Sequence, residues 1–313
     1  MLLSNRPSAF KIFTSTSLIT LCIIIVFSYH IWSLDSWKRV GMETVPGRAP
    51  LAIGIPEKIW YKLGPKGLND QSQQWIDTCL KKNPTYKSEF MTDLSGDAYV
   101  KKNFAFRPDI VENYLALPIP ILKADFLRYL LLLAEGGIWN DLDVSCEEVP
   151  IRDWIPAQYK GNASVVVGLE FDFGWGHNFV RQFTSWTLMA KPASPHILMV
   201  VDDILEGLRE ATSRRNVTVA ELTLDMIGDV VDFTGPRRLT RSILKSLELT
   251  LKDKVDDKNI SLLLEPKLIG DVLVLPGYSF ASSSNRYKEK MGPALVTHHY
   301  AGTWKNDQGG EVA

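Results

Sequence analysis

The chain has 313 residues, of which 45% are apolar and 10% aromatic, enough for a substantial core and far from the polar, charge-rich composition of disordered proteins. Its 35 Lys and Arg against 36 Asp and Glu give a formal net charge of −1, which excludes a global field for holding nucleic acid or an anionic surface. Three cysteines exclude a disulfide scaffold.

Ile12 to Tyr29 is uncharged, and the apolar character continues to Leu34; a bilayer-spanning helix needs roughly 20 such residues. Arg6 and Lys11 precede the run, while Asp35, Lys38 and Arg39 follow it, which favours a cytosolic N-terminus. The run exits through Tyr29, His30, Ile31 and Trp32, a better interfacial context than a cleavage site, so a retained anchor is expected over a signal peptide. The expected organisation is a cytosolic tail at 1–11, a single transmembrane signal anchor at 12–34, a stem at 35–54 interrupted by Pro46, Gly47 and Pro50, and a luminal domain at 55–313. Sequons at Asn162, Asn216 and Asn259 agree with a luminal domain. Its two cysteines, Cys79 and Cys146, are open to two readings, one bridge or two buried thiols.

Within the domain, Lys58 to Tyr61 reads as a strand, Gln71 to Lys82 as a helix stopped by Asn83-Pro84, and Tyr86 to Met91 as a strand. Pro120 to Glu135 reads as a buried helix that begins with proline and ends at Gly136-Gly137. Val165 to Leu169 and Asp271 to Leu275 read as strands, and Pro195 to Leu208 and Arg237 to Leu249 as amphipathic helices. This alternation predicts an α/β fold with a largely parallel sheet.

Chemistry concentrates after the buried helix. Asp125 and Arg128 share one helix face, and a buried charge needs a partner or a ligand. Ile138 to Val144 reads as a strand whose end carries Asp141 and Asp143; in extended backbone, i and i+2 point the same way. Two convergent carboxylates suit a hard divalent cation, Mn²⁺ or Mg²⁺, that also accepts diphosphate oxygens. Glu170 and Asp172 precede an aromatic, glycine-rich loop with Trp175 and His177, a candidate acceptor platform. Asp229 is a further candidate.

The block from Asp125 to Asp143 resembles the donor-binding core of glycosyltransferase family 32, D-x-x-R-Y-x-x-L-x-x-x-G-G-x-Y/W-x-D-x-D, at Asp125, Arg128, Tyr129, Leu132, Gly136, Gly137, Trp139, Asp141 and Asp143. Ile55 to Trp60, with Trp60 where a histidine is common, resembles the family's first strand, and Trp75 with Asn83-Pro84 its next helix. Thr234-Gly235-Pro236 resembles a Thr-Gly-Pro turn, and His298 to Trp304 is similar to H-x-x-x-G-S-W, with Thr303 for serine. The likeness is nearest to fungal Och-type initiation-specific α-1,6-mannosyltransferases, which are type II Golgi proteins.

The resemblance implies a GT-A fold and transfer of mannose from GDP-mannose to a glycoprotein N-glycan, with retention of configuration and in α-1,6 linkage. It implies metal ligation by Asp141, Asp143 and His298, and donor contacts from Asp125, Arg128, Trp60 and Trp304; Asp141, Asp143 and Arg128 would be the catalytic set. Of His298 and His299, only one can face the metal, because neighbours on an extended segment face opposite ways. The alternatives are inositol phosphorylceramide as acceptor, a non-catalytic subunit of a Golgi mannan-synthesis complex, and a haloacid-dehalogenase-type phosphatase using Asp141 as nucleophile.

Overall fold

The structure is a computed structural model in which residues 54–175, 179–289 and 291–301 are described. The expected anchor, the stem up to residue 53, His177 and Trp304 lie outside the described residues; among the described residues no helix is long and apolar enough to cross a membrane.

The strands are β1 (Lys58–Lys62), β2 (Lys87–Met91), β3 (Gly137–Asn140), β4 (Val144–Cys146), β5 (Val165–Glu170), β6 (Gln182–Phe183), β7 (Thr187–Ala190), β8 (Lys267–Ile269), β9 (Val272–Leu275) and β10 (Val296–His298). The helices are α1 (Asp70–Lys82), α2 (Asp93–Asn103), α3 (Pro108–Ala116), α4 (Pro120–Glu135), α5 (Pro195–Arg215), α6 (Leu224–Ile227), α7 (Val230–Phe233), α8 (Pro236–Leu251) and α9 (Gly277–Phe280). The main sheet runs β2-β1-β3-β7-β5-β9-β8, with β6 on β5, and β4 and β10 form a separate ribbon.

The sheet is mixed, which corrects the largely parallel expectation. β1 pairs β2 and β3 in parallel, as β5 does β9, but β7 enters antiparallel between β3 and β5. The cause is local: the chain leaves β5, doubles back once and runs alongside it as β6 and then β7, both antiparallel to β5, and without a crossover helix that return permits only antiparallel pairing.

Both faces of the sheet are covered, so its central strands β3, β5, β7 and β9 are buried throughout. Trp60, Val165, Val167 and Leu169 join the core beneath α4, α5 and α8. Ile59, Tyr61 and Val166 point to the opposite core, with α1, Trp154 and Phe280; alternate residues of one strand serve opposite faces. Asn69 caps α1 by accepting from Ser72 N at 2.7 Å, and Asn83 ends it, donating to the Cys79 carbonyl and accepting from Ile151 N. A Cys79–Cys146 disulfide ties α1 to β4, settling the cysteine question in favour of a bridge.

α4 starts with Pro120, where a missing N–H costs nothing, and its buried residues surround the axis from Leu122 to Ala134. Gly136 and Gly137 have φ of +69° and +102°. A Cβ at Gly137 would lie 2.6 Å from the Lys58 carbonyl oxygen, and one at Gly136 2.6 Å from Pro192 N. Only glycines allow the chain to leave α4 and slip β3 between β1 and β7, and this sets where Asp141 emerges.

Candidate active site

Asp141 and Asp143 are not the end of a strand. β3 stops at Asn140, whose Oδ1 accepts from Thr187 Oγ1 at 2.9 Å, and the chain turns, Val144 N donating to the Asp141 carbonyl at 3.2 Å, to enter β4. The expected i, i+2 extended geometry is therefore corrected to a turn between two sheets. The turn still brings the acids together: one ligand atom each from Asp141, Asp143 and His298 lie within 4.8 Å of one another.

Each member is held from a different direction. Asp141 Oδ1 accepts from Trp139 Nε1 at 2.6 Å and from Arg128 Nη2 at 3.1 Å, while Asp141 N donates to the Trp186 carbonyl. Asp143 Oδ2 accepts from Ala301 N at 2.9 Å, and its Oδ1 lies 3.4 Å from His298 Nε2. His298 ends β10, which pairs with β4 so that His298 lies opposite Val144. Its ring stacks on Trp186 at 4.3 Å, and its Nδ1 is buried without a hydrogen-bond partner. His299 takes the other direction, stacking on Trp75 at 4.3 Å and sharing a hydrogen bond with Ser145.

Arg128 and Asp125 form the closed side, their side chains each 6% exposed. Arg128 Nη1 donates to Asp125 Oδ1 at 2.7 Å, and Thr234 Oγ1 donates to Asp125 Oδ2 at 2.8 Å. Burial pushes the Asp141 and Asp125 carboxyls up, against the charge of Arg128. Burial also opposes charge on Arg128, but Asp141 and Asp125 outweigh it and raise its pKa. For Asp143, burial pushes upward too, yet His298 and the Ala301 N–H hold the carboxyl below its ordinary range. Two of the three carboxylates, Asp125 and Asp141, face the guanidinium, and the third, Asp143, faces His298. Two acidic oxygens and an imidazole nitrogen fit a divalent cation such as Mn²⁺.

The other expected site residues are placed as follows. Trp60, expected to contact the donor, is corrected: it is fully buried in β1 with its indole N–H donating to the Gly136 carbonyl at 2.9 Å, because the inward face of β1 packs beneath α4. Glu170 is buried and accepts from Gln182 Nε2 and Ser284 Oγ. Asp172 is buried as an anchor for the backbone N–H groups of Leu262 and Leu263 and for Arg181. Trp175 packs against Phe171, Phe179 and Arg286. Asp229 caps α7 and pairs with Arg237 at 3.2 Å. Sequence reasoning missed Trp186, under His298, and Thr234, on Asp125; the Thr-Gly-Pro motif was the signal for the second.

The description "Glycosyltransferase sugar-binding region containing DXD motif" matches residues 69–161, a span that includes Asp125, Arg128 and the Asp141–Asp143 turn. The chain is 31% identical over 280 residues to the initiation-specific alpha-1,6-mannosyltransferase of Schizosaccharomyces pombe, covering 86% of this chain and 68% of that one. It is 30% identical over 286 residues to the enzyme of the same name from Candida albicans, covering 81% and 73%. Over 136 residues it is 28% identical to the mannosyl phosphorylinositol ceramide synthase SUR1 of Saccharomyces cerevisiae, covering 42% and 35%. With these relatives matched across most of its length and the sugar-binding motif assembled in three dimensions, the chain belongs to the family 32 type of DXD glycosyltransferases and is a glycosyltransferase.

Proposed function

We propose that this glycosyltransferase is a metal-dependent, retaining mannosyltransferase of GT-A fold that moves mannose from GDP-mannose onto an N-linked glycan in α-1,6 linkage. We place it in the Golgi lumen, tethered by residues 12–34. The observation that carries the reading is the convergence of Asp141 and Asp143, from the turn after β3, and His298, from the distant β10, on one point. The names of the relatives from S. pombe and C. albicans support mannose and the linkage.

When bound, a divalent cation supplies Lewis acidity towards the diphosphate leaving group. Asp141, Asp143 and His298 would hold it. Arg128 keeps a permanent positive charge at the buried edge of Asp141 and is positioned to meet donor oxygens. Asp125 and Thr234 fix its guanidinium plane, and the closed packing around them excludes water, which protects a reactive sugar donor from hydrolysis.

Partial similarity to the ceramide synthase favours inositol phosphorylceramide as a second acceptor reading; its shorter span makes it the lesser one. The test is transfer from GDP-mannose with Mn²⁺ to a mannose-terminated N-glycan and, separately, to inositol phosphorylceramide, beside Asp141→Ala and Asp143→Ala. Transfer to the glycan by wild type and its loss in both variants is expected. Folded wild type that uses no GDP-mannose would sink the assignment, and binding of donor without turnover would identify a non-catalytic subunit.

A further inference from the structure

One aromatic ring borders the acid pair with open surface. Tyr300 is 49% exposed; its ring centroid lies 4.1 Å from that of His298 and 5.8 Å from that of Trp186. The next residue, Ala301, donates its N–H to Asp143. An exposed tyrosine ordinarily samples several rotamers, but this one is fixed at both ends. Its backbone has φ of +50°, a left-handed conformation that a bulky residue keeps only where its surroundings impose it. Its hydroxyl shares a hydrogen bond with Ser284 Oγ, which in turn donates to Glu170 Oε1 at 3.2 Å.

The support behind it is buried. Glu170 accepts from Gln182 Nε2 at 2.6 Å on its other oxygen, and the Ser284 carbonyl accepts from Trp175 Nε1 at 2.7 Å. Phe171, directly after Glu170, also has positive φ, +60°, and its ring lies 5.0 Å from that of Trp175. Thus a hydrogen-bonded chain, Glu170 to Ser284 to Tyr300, runs from the end of β5 to the rim of the site, and its exposed member is a phenol ring.

The two flanks of the acid pair differ. Asp125 and Arg128 close one side with buried, paired charges; Tyr300 leaves the other open. A second substrate too large for the buried flank has to arrive over Tyr300. We propose that Tyr300 is the stacking platform for the terminal hexose of the acceptor glycan, with Ser284 and Glu170 as positioning residues that fix its height. This inference rests on the sugar-transfer reading above. A pyranose presents one face of C–H groups, which gains apolar burial and dispersion contact on an aromatic face, and a ring already immobilised loses little freedom when the sugar lands. Glu170 then acts on the acceptor through the platform rather than by touching it. Trp175, its ring already engaged by Arg286, Phe171 and Phe179, is a buttress.

The test compares wild type, Tyr300→Ala, Tyr300→Phe and Ser284→Ala as full-length chains, with GDP-mannose, Mn²⁺ and a mannose-terminated oligosaccharide. Tyr300→Ala should raise the acceptor KM about tenfold, the equivalent of one lost stacking contact, with the donor KM shifting less than about twofold. Tyr300→Phe, which keeps the ring, should raise acceptor KM less than Tyr300→Ala, and Ser284→Ala should move it in the same direction. An unchanged acceptor KM in Tyr300→Ala, or a donor KM rising alongside it, overturns the platform. Saturation-transfer NMR of the same oligosaccharide separates the two readings. Tyr300-dependent binding without mannose transfer keeps the platform and rejects the mannosyltransferase assignment; transfer with contacts that Tyr300→Ala leaves intact does the reverse.

Discussion

Arg128 donates to Asp141 across the gap between α4 and the turn after β3, Nη2 to Oδ1 at 3.1 Å, while its other terminal nitrogen holds Asp125 at 2.7 Å. One cation thereby pairs with a buried acid, Asp125, and a half-buried one, Asp141, from different segments. Arg128→Ala strands both, and breaking a buried pair on one side costs about 3–5 kcal/mol. Urea unfolding should show a loss of that size. The double variant Arg128→Met, Asp125→Leu should recover much of the stability, because no uncompensated charge remains at Asp125, without recovering transfer. If it regains activity, the pair is structural only.

Metal binding should follow the three ligands. Asp143→Ala and His298→Ala should each weaken Mn²⁺ binding, read by calorimetry, by at least about 10–100-fold, and chelation of wild type should abolish transfer until Mn²⁺ is returned. His299→Ala, which removes a ring stacked on Trp75 instead, should affect metal affinity much less. Equal losses at both histidines would contradict the arrangement.

The disulfide joins α1 to β4 and closes a loop across a sequence separation of 67. Cys79→Ser should lower stability by about 2–5 kcal/mol, seen as a drop in the thermal midpoint. Because Cys146 lies at the end of β4 opposite Val296, the same variant should bind Mn²⁺ more weakly even at temperatures where it remains folded. Unaltered metal affinity would show that β4 and β10 keep their alignment without the bridge.

A second buried network predicts acid sensitivity. Burial pushes the Asp271 carboxyl up, but hydrogen bonds from His196 and Ser164 outweigh it and hold its pKa below the ordinary 3.8. The folded state therefore binds this proton less readily than the unfolded chain. The stabilisation is complete above the ordinary value and disappears as pH falls through the lowered one. Thermal unfolding measured from about pH 5 to about pH 3 should fall less steeply in Asp271→Asn than in wild type; parallel curves would remove Asp271 from the account.

Much of this architecture was legible in the sequence. α4 was expected over Pro120 to Glu135 and is found there, since proline, an apolar circumference and two glycines are local signals. The acid pair was legible as chemistry but not as geometry: nothing in Asp141-Leu142-Asp143 says that the chain turns between two sheets, a consequence of Asn140 meeting Thr187 and Val144 meeting His298 far away in sequence. For the same reason the antiparallel entry of β7 was invisible, because register is decided by partners rather than by a strand's own residues. Glu170 and Asp172 illustrate a further gap. Both were expected beside an acceptor platform, and both spend their oxygens on hydrogen bonds within the fold.

Asp143 and Ala301, bonded to each other, are 158 residues apart in sequence, and His298 reaches the acids only through β10. A ribosome synthesising this chain releases the two carboxylates well before the histidine. Until β10 has docked on β4, the growing polypeptide carries the acids without their imidazole partner, so the assembled triad reports the arrival of β10. Chains cut short before β10 would keep most of the sheet yet lack the imidazole, which makes the order of synthesis itself a check on when the three side chains can meet.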